Sequence, residues 1–229
     1  MCFSVEASFG AGIVLSVIGV ASIKKVQSPS QIAFASIPLI FSVQQITEGF
    51  LWLALSNPVY ASLQQVTTYT FLFLAQIVWP LWVPLAILLV EKEDKRKTIQ
   101  KLLVAIGVLL SIYLAYCLLS YNVQAKIIGY HISYEQNYPL ALTLAGGVFY
   151  FIATIAPPFF STIKMMWLLG LAILISYIIT IIFYEDYFVS VWCFFASVIS
   201  ISVFVIMHGI KNCIKKPTQN IKNAKSICI

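Results

Sequence analysis

The sequence predicts an all-α integral membrane bundle of seven transmembrane helices, with its N-terminus outside and its C-terminus in the cytoplasm. Three observations lead there. Of the 229 residues, 61% are hydrophobic and only 10% charged, with a mean hydropathy of +0.94, which is more apolar surface than one water-soluble core can hide. Apolar runs recur near the length of about 20 residues that crosses a bilayer. Of the 14 Lys and Arg residues, 13 lie in alternate gaps between those runs, as expected where basic residues stay on the cytoplasmic side.

Breaks at charge, Pro, Asn or Gly place the spans at 5–23, 32–55, 66–90, 99–120, 139–160, 165–184 and 187–208, within one membrane domain over 1–210. Residues 211–229 form a polar, basic tail expected to be cytoplasmic and disordered. The first run carries Glu6 at its start and Lys24 and Lys25 after it, so it reads as a retained signal anchor rather than a cleaved leader. Basic residues follow the odd-numbered spans: Lys24 and Lys25, then Lys92, Lys95, Arg96, Lys97 and Lys101, then Lys164, then Lys211, Lys215, Lys216, Lys222 and Lys225. Lys126 alone falls on the other side, beside the acids Glu6, Glu135, Glu185 and Asp186 and an aromatic belt of Tyr60, Tyr121, Tyr184, Tyr187 and Trp192. Seven spans with the N-terminus outside is the parity that satisfies this pattern.

The net charge of +6 is therefore topological, and no basic patch with interleaved stacking aromatics points to nucleic acid. Cys2, Cys117, Cys193, Cys213 and Cys228 show no CxxC spacing, which excludes a zinc framework or disulfide scaffold; the buried ones read as small apolar packers. No nucleotide loop, nucleophile elbow, dinucleotide fingerprint or haem motif occurs.

Polar side chains in hydrocarbon are costly and turn toward the bundle interior, so their depth maps a site. In the second span Gln44, Gln45, Glu48 and Trp52 share one helical face. In the third, Gln76 shares a face with Tyr69 and Pro80; Pro80 removes the amide that would bond the Gln76 carbonyl, and Pro84 repeats the break, predicting a kink with a freed carbonyl. Tyr113, Tyr116, Cys117 and Ser120 stripe the fourth span, Thr143, Gly147 and Tyr150 the fifth, Ser176, Thr180 and Tyr184 the sixth, and Ser190 and Ser197 the seventh. These stripes occupy the outer halves. The inner halves, such as 83–90, 102–110 and 167–175, are plain hydrocarbon apart from Pro84.

An outward-opening polar pocket follows as an expectation, floored by Gln44, Gln45, Gln76 and Glu48 and walled by Trp52, Tyr113 and Tyr116. Isolated Ser and Thr residues are expected simply to bond neighbouring helices. Glu48 differs, because a carboxyl at the membrane centre costs on the order of 2.5–3.5 kcal/mol. Between the fourth and fifth spans, 121–138 alternates polar and apolar residues around Gly129, which predicts a short hairpin capping the pocket. His131, Glu135, Glu6 and Cys2 are the outer-side groups able to ligate a metal, although no HExxH-type pattern links them. Ser8, Gly12 and Ser16 form a small-residue face for close helix packing.

Met1-Cys2-Phe3-Ser4, Gln44-Gln45-Ile46-Thr47-Glu48-Gly49 with Trp52, Trp79-Pro80-Leu81-Trp82-Val83-Pro84 and His131-Ile132-Ser133-Tyr134 resemble an uncharacterised family of small, mostly bacterial multi-pass membrane proteins beginning MCFS. The resemblance implies a self-contained unit and no particular activity. Seven-helix retinal proteins are similar in topology, but they need a lysine inside the last span, and 187–208 has none. Zinc hydrolases of the alkaline ceramidase type are similar in size but need several histidines, whereas this chain has His131 and His208 alone. Three functions stay open: binding or sensing of a small molecule, ion or lipid headgroup at Glu48; an intramembrane enzyme acting on lipid, with Glu48 as base and a metal at the pocket mouth; and a proton-coupled transporter. Cofactor and oligomeric state are not specified by the sequence, and the expected surroundings are the lipid bilayer of a cell membrane.

Overall fold

A computed structural model describes residues 4–138, 140–183 and 195–215. Cys2, Tyr184, Glu185, Asp186, Tyr187, Ser190, Trp192, Cys193 and the segment 216–229 lie outside the described residues, as do the side chains of 139–145 and 213–215, Thr143 and Cys213 among them.

Helix α1 (Val5–Ile23) starts where Ser4 turns extended and its hydroxyl accepts the Ala7 amide at 3.2 Å, an N-cap reinforced by Glu6 in the first turn. The second rod opens with a short tight turn at Pro29–Gln31, continues as α2 (Ile32–Ala35), bends at Ser36, and runs on as α3 (Ile37–Ser56) with Pro38 in its first turn. At the bend the Ser36 hydroxyl bonds the Ala33 carbonyl at 2.9 Å. The third rod comprises a tight turn at Pro58–Leu63, α4 (Gln64–Leu72), a π-helical stretch Phe73–Val78 and α5 (Trp79–Val90). Helix α6 (Asp94–Ser120) follows. It begins a turn before the expected span because Asp94 in its first turn favours the helix N-terminus.

These four rods, Val5–Ile23, Pro29–Ser56, Pro58–Val90 and Asp94–Ser120, are long and apolar enough to cross a membrane. Three further helices complete the described chain: α7 (Leu140–Phe159), α8 (Met166–Phe183) and α9 (Ala196–Lys215). Their described apolar stretches are shorter, Gly146–Phe159, Met166–Ile182 and Ala196–Asn212. Helix α9 runs on to Lys215, beyond the expected end of the seventh span at 208. A basic residue such as Lys211 favours the last turns of a helix.

Sequential rods pack side by side, and α9 returns to α1 and α3 to close the bundle. The α1–α3 seam is antiparallel: Gly12 faces Ile46, Gly19 faces Leu39, and the Ser16 and Ser42 hydroxyls meet at 2.6 Å. The expected small-residue face thus packs on α3. The two ends of the bundle differ. At one end lie the loop between α5 and α6, Lys164, and Lys25 with its ammonium 5.7 Å from the Phe204 ring centre. The half of the bundle beneath them is an apolar core that includes Phe34, Ile87, Met166, Leu169, Val203 and Met207.

At the other end stands the expected hairpin, β1 (Val123–Ile128) paired antiparallel with β2 (His131–Gln136). Gly129 at φ +61 opens its two-residue turn, the glycine-first arrangement that matches the natural twist of a hairpin. Val123, Ala125 and Ile132 point down and are buried, while Gln124 and Lys126 point up and are exposed. The buried face seats on Leu51 and Trp52 of α3 and on Phe71 of α4, whose ring stacks on Tyr134 at 4.9 Å.

Candidate functional site

Helix α3 carries the polar face that the sequence marked. Gln44, Gln45 and Glu48 are turned into the bundle, with exposures of 0%, 1% and 0%. Gln45 Nε2 donates to Glu48 Oε2 at 3.3 Å. Gln44 Oε1 accepts the Trp79 indole N–H at 2.7 Å, and the Trp79 ring stacks on Phe41 at 4.0 Å. The apolar core therefore begins directly beside the glutamines. One turn beyond Glu48, Trp52 lies under the hairpin, in contact with the cluster of Ala125 and Ile132.

The Pro80–Pro84 break takes a specific form. The π-helical stretch Phe73–Val78 widens the third rod just before it, so the carbonyls it frees need other donors. Ala75 O accepts the Tyr150 hydroxyl at 2.6 Å, and Ile77 O accepts the Ser111 hydroxyl at 2.8 Å. A Cβ on Gly107 of α6 would come within 2.0 Å of the Pro80 carbonyl; this carbonyl has lost its own donor because Pro84 has no N–H.

Gln76 donates to Gln136 of β2 at 2.7 Å and accepts from Tyr138 at 3.3 Å. It ties the hairpin to the third rod. Tyr113 is half-buried near Gly146. Tyr116 is 63% exposed on the outside of the bundle and does not join the cluster.

Of the metal-ligand candidates, Glu6, His131 and Glu135 are among the described residues. Lys126 pairs with Glu135 at 2.7 Å, Glu6 is exposed in the first turn of α1, and His131 opens β2 opposite Ile128. Burial pulls the His131 imidazole below the usual histidine range. Among the described residues no three of His, Cys, Asp and Glu cluster as metal ligands. The isolated hydroxyls divide: Ser42 and Ser111 bond carbonyls of neighbouring helices, as expected, whereas Thr154, Ser176 and Thr180 bond carbonyls of their own helices at 2.6–2.7 Å. A carbonyl four residues back is the nearest acceptor a helical hydroxyl can reach.

Sequence reasoning passed over Glu91. It ends the third rod at 3% exposure and ties it to the loop between α7 and α8. Oε2 accepts the Ser161 hydroxyl at 2.9 Å and the Thr162 amide at 2.8 Å; Oε1 accepts the Lys92 and Glu93 amides at 2.9 and 3.2 Å and the Thr162 hydroxyl. Burial pushes this carboxyl up, but the bonds from Thr162, Lys92 and Ser161 outweigh it and hold the group below the ordinary carboxylate range.

A family profile matches the chain over residues 1–218. The chain belongs to DUF6629, a family of unknown function. Membership agrees with the resemblance carried by the MCFS opening and the Gln44–Gly49 run, and the DUF6629 profile extends across the described helices and hairpin. Neither a curated protein nor a solved structure matches the chain.

Proposed function

We infer that this DUF6629 protein is a seven-span protein of a bacterial cell membrane. Its N-terminus and hairpin face outward and its basic end faces the cytoplasm. It binds or senses a small molecule, an ion or a lipid headgroup beside Glu48. The observation that carries this reading is a fully buried carboxyl sharing one face of α3 with two fully buried glutamines. Removing these groups from water is costly, and such a cost in the middle of a membrane helix is retained where the group has work to do. The hairpin seated above Trp52 supplies the cap such a site needs against bulk water. A binding role is supported over transport because a large apolar cluster, including Phe41, Ile87, Ile155 and Val203, packs beside the glutamines.

The test is Glu48→Gln, which keeps shape and removes charge. Wild-type protein in detergent is screened by thermal shift against a panel of lipids and metabolites. The variant should fold, and ligand-dependent stabilisation should be lost. A hit that stabilises wild type and variant equally contradicts the role given to Glu48.

A further inference from the structure

Helix α6 is longer than a bilayer requires, and its surplus lies at the basic end of the bundle. Its 27 residues run for about 40 Å, against roughly 30 Å of hydrocarbon. The excess of about two turns falls at 94–101, where Lys95, Arg96, Lys97 and Lys101 accompany one acid, Asp94. Lys97 pairs with Asp94 at 3.2 Å. Lys95 and Lys101 are exposed and join no ion pair among the described residues.

These two lysines head an exposed apolar stripe. Leu102 and Leu109 follow Lys95 at intervals of seven residues, two turns of helix, so they share its face, and Ile112 and Leu119 run alongside. Leu102, Leu109, Ile112 and Leu119 are 63%, 70%, 64% and 82% exposed. The other faces of α6 pack on α5, on the π-helical stretch and on α7. The stripe is thus cationic at its head and apolar along its length, a profile that matches a phospholipid of net negative charge. A zwitterionic headgroup brings its own ammonium and leaves the lysines without a counter-charge.

A second copy fits this face less well. Two copies standing the same way up and meeting through the stripe about a two-fold axis would set Lys101 against Lys101. The stripe also presents bulky Leu and Ile, whereas membrane helices approach one another through small residues, as α1 does with Gly12 and Gly19 against α3. Helix α1 is the internal contrast. Its exposed stripe of Val17 and Val20 ends in one exposed lysine, Lys24, because Lys25 lies over the Phe204 ring.

We propose that the exposed face of α6 recruits anionic phospholipids from the bilayer, their headgroups meeting Lys95 and Lys101 and their acyl chains lying along Leu102, Leu109 and Ile112. The proposal goes beyond the role given to Glu48 and rests only on the bundle's place in a membrane.

The test uses full-length protein in a cysteine-free background, with a bimane fluorophore on Leu109→Cys for α6 or on Val17→Cys for α1. Each is placed in phosphatidylcholine vesicles containing a minor fraction of phosphatidylglycerol or phosphatidylcholine that carries a nitroxide quencher on its acyl chain. Each exposed lysine near an anionic surface contributes about fivefold. The α6 probe should therefore show a preference for phosphatidylglycerol of roughly tenfold, Asp94 and salt taking part of the full effect. The α1 probe should show about fivefold or less. Lys95→Gln with Lys101→Gln should bring the α6 preference down to about twofold and leave the α1 probe unchanged. High salt should weaken the α6 preference, since both lysines are exposed. Equal quenching of the α6 probe by the two lipids, a preference that survives the double substitution, or one no larger than at α1 overturns the proposal; the last would mean that the charge of the whole basic end acts uniformly. Quenching of the α1 probe alone also overturns it, showing that protein covers the α6 face. If neither probe is quenched by either lipid, the bundle's place in a bilayer falls as well.

Discussion

A carboxylate withdrawn from water persists when its lone pairs are met, and Glu91 meets that condition with five donors drawn from both sides of a helix gap. Glu91→Gln would turn an amide N–H₂ toward groups that themselves donate, and should cost about 2 kcal/mol of unfolding free energy at neutral pH. The pH dependence has a definite sign. The folded carboxyl titrates below its ordinary value of 4.5, so its stabilisation is complete above that value and disappears as pH falls through the lower folded one. Denaturant unfolding in detergent should show the wild-type advantage at pH 7 and its progressive loss as the pH falls below 4.5; an advantage undiminished in strong acid contradicts the carboxylate role. Glu48 was legible in the sequence because an acid interrupts an apolar run. Glu91 was not: it sits where the run ends and reads as an ordinary loop charge, and its donors Ser161 and Thr162 lie far along the chain.

Among elements, the broken third rod is the clearest case of partial legibility. Pro80 and Pro84 marked the break, since each removes a backbone donor. The π-helical turn before them and the hydroxyls of Tyr150 and Ser111 that serve its carbonyls were not legible, because those donors come from α7 and α6. The partner of Gln76 was not legible for the same reason, since Gln136 lies 60 residues along the chain. The hairpin, by contrast, was written locally in its alternation and in Gly129. Gly107 tests the packing of the break. Gly107→Ala drives a methyl group to 2.0 Å from the Pro80 carbonyl oxygen, a backbone atom with no rotamer to yield. It should cost about 3 kcal/mol or more. Gly146→Ala, whose new carbon would meet nothing nearer than 3.7 Å, should be close to neutral. Equal thermal stability of the two variants contradicts this account of the break.

For the whole molecule, the apolar runs were read well because hydrocarbon demands length and composition, both local properties. A helix start moved where charge favoured it, as at Asp94. The inward polar face of α3 was legible, since Gln44, Gln45 and Glu48 are buried, and so was the apolar stretch 83–90, which gives Val83, Ala86, Ile87 and Val90 to the core. Whether Tyr116 or Gln76 joined the acid was a matter of rotation and tertiary partners, which depth does not encode. The site inferred at Glu48 opens to the outside only if the hairpin does. The direct test is single-cysteine labelling in a background with all five native cysteines replaced. A membrane-impermeant maleimide applied to intact cells should label Tyr130→Cys at the exposed hairpin tip, and should label Lys95→Cys only after permeabilisation. Labelling of Lys95→Cys in intact cells, with Tyr130→Cys protected, would invert the molecule and contradict an outward-facing site.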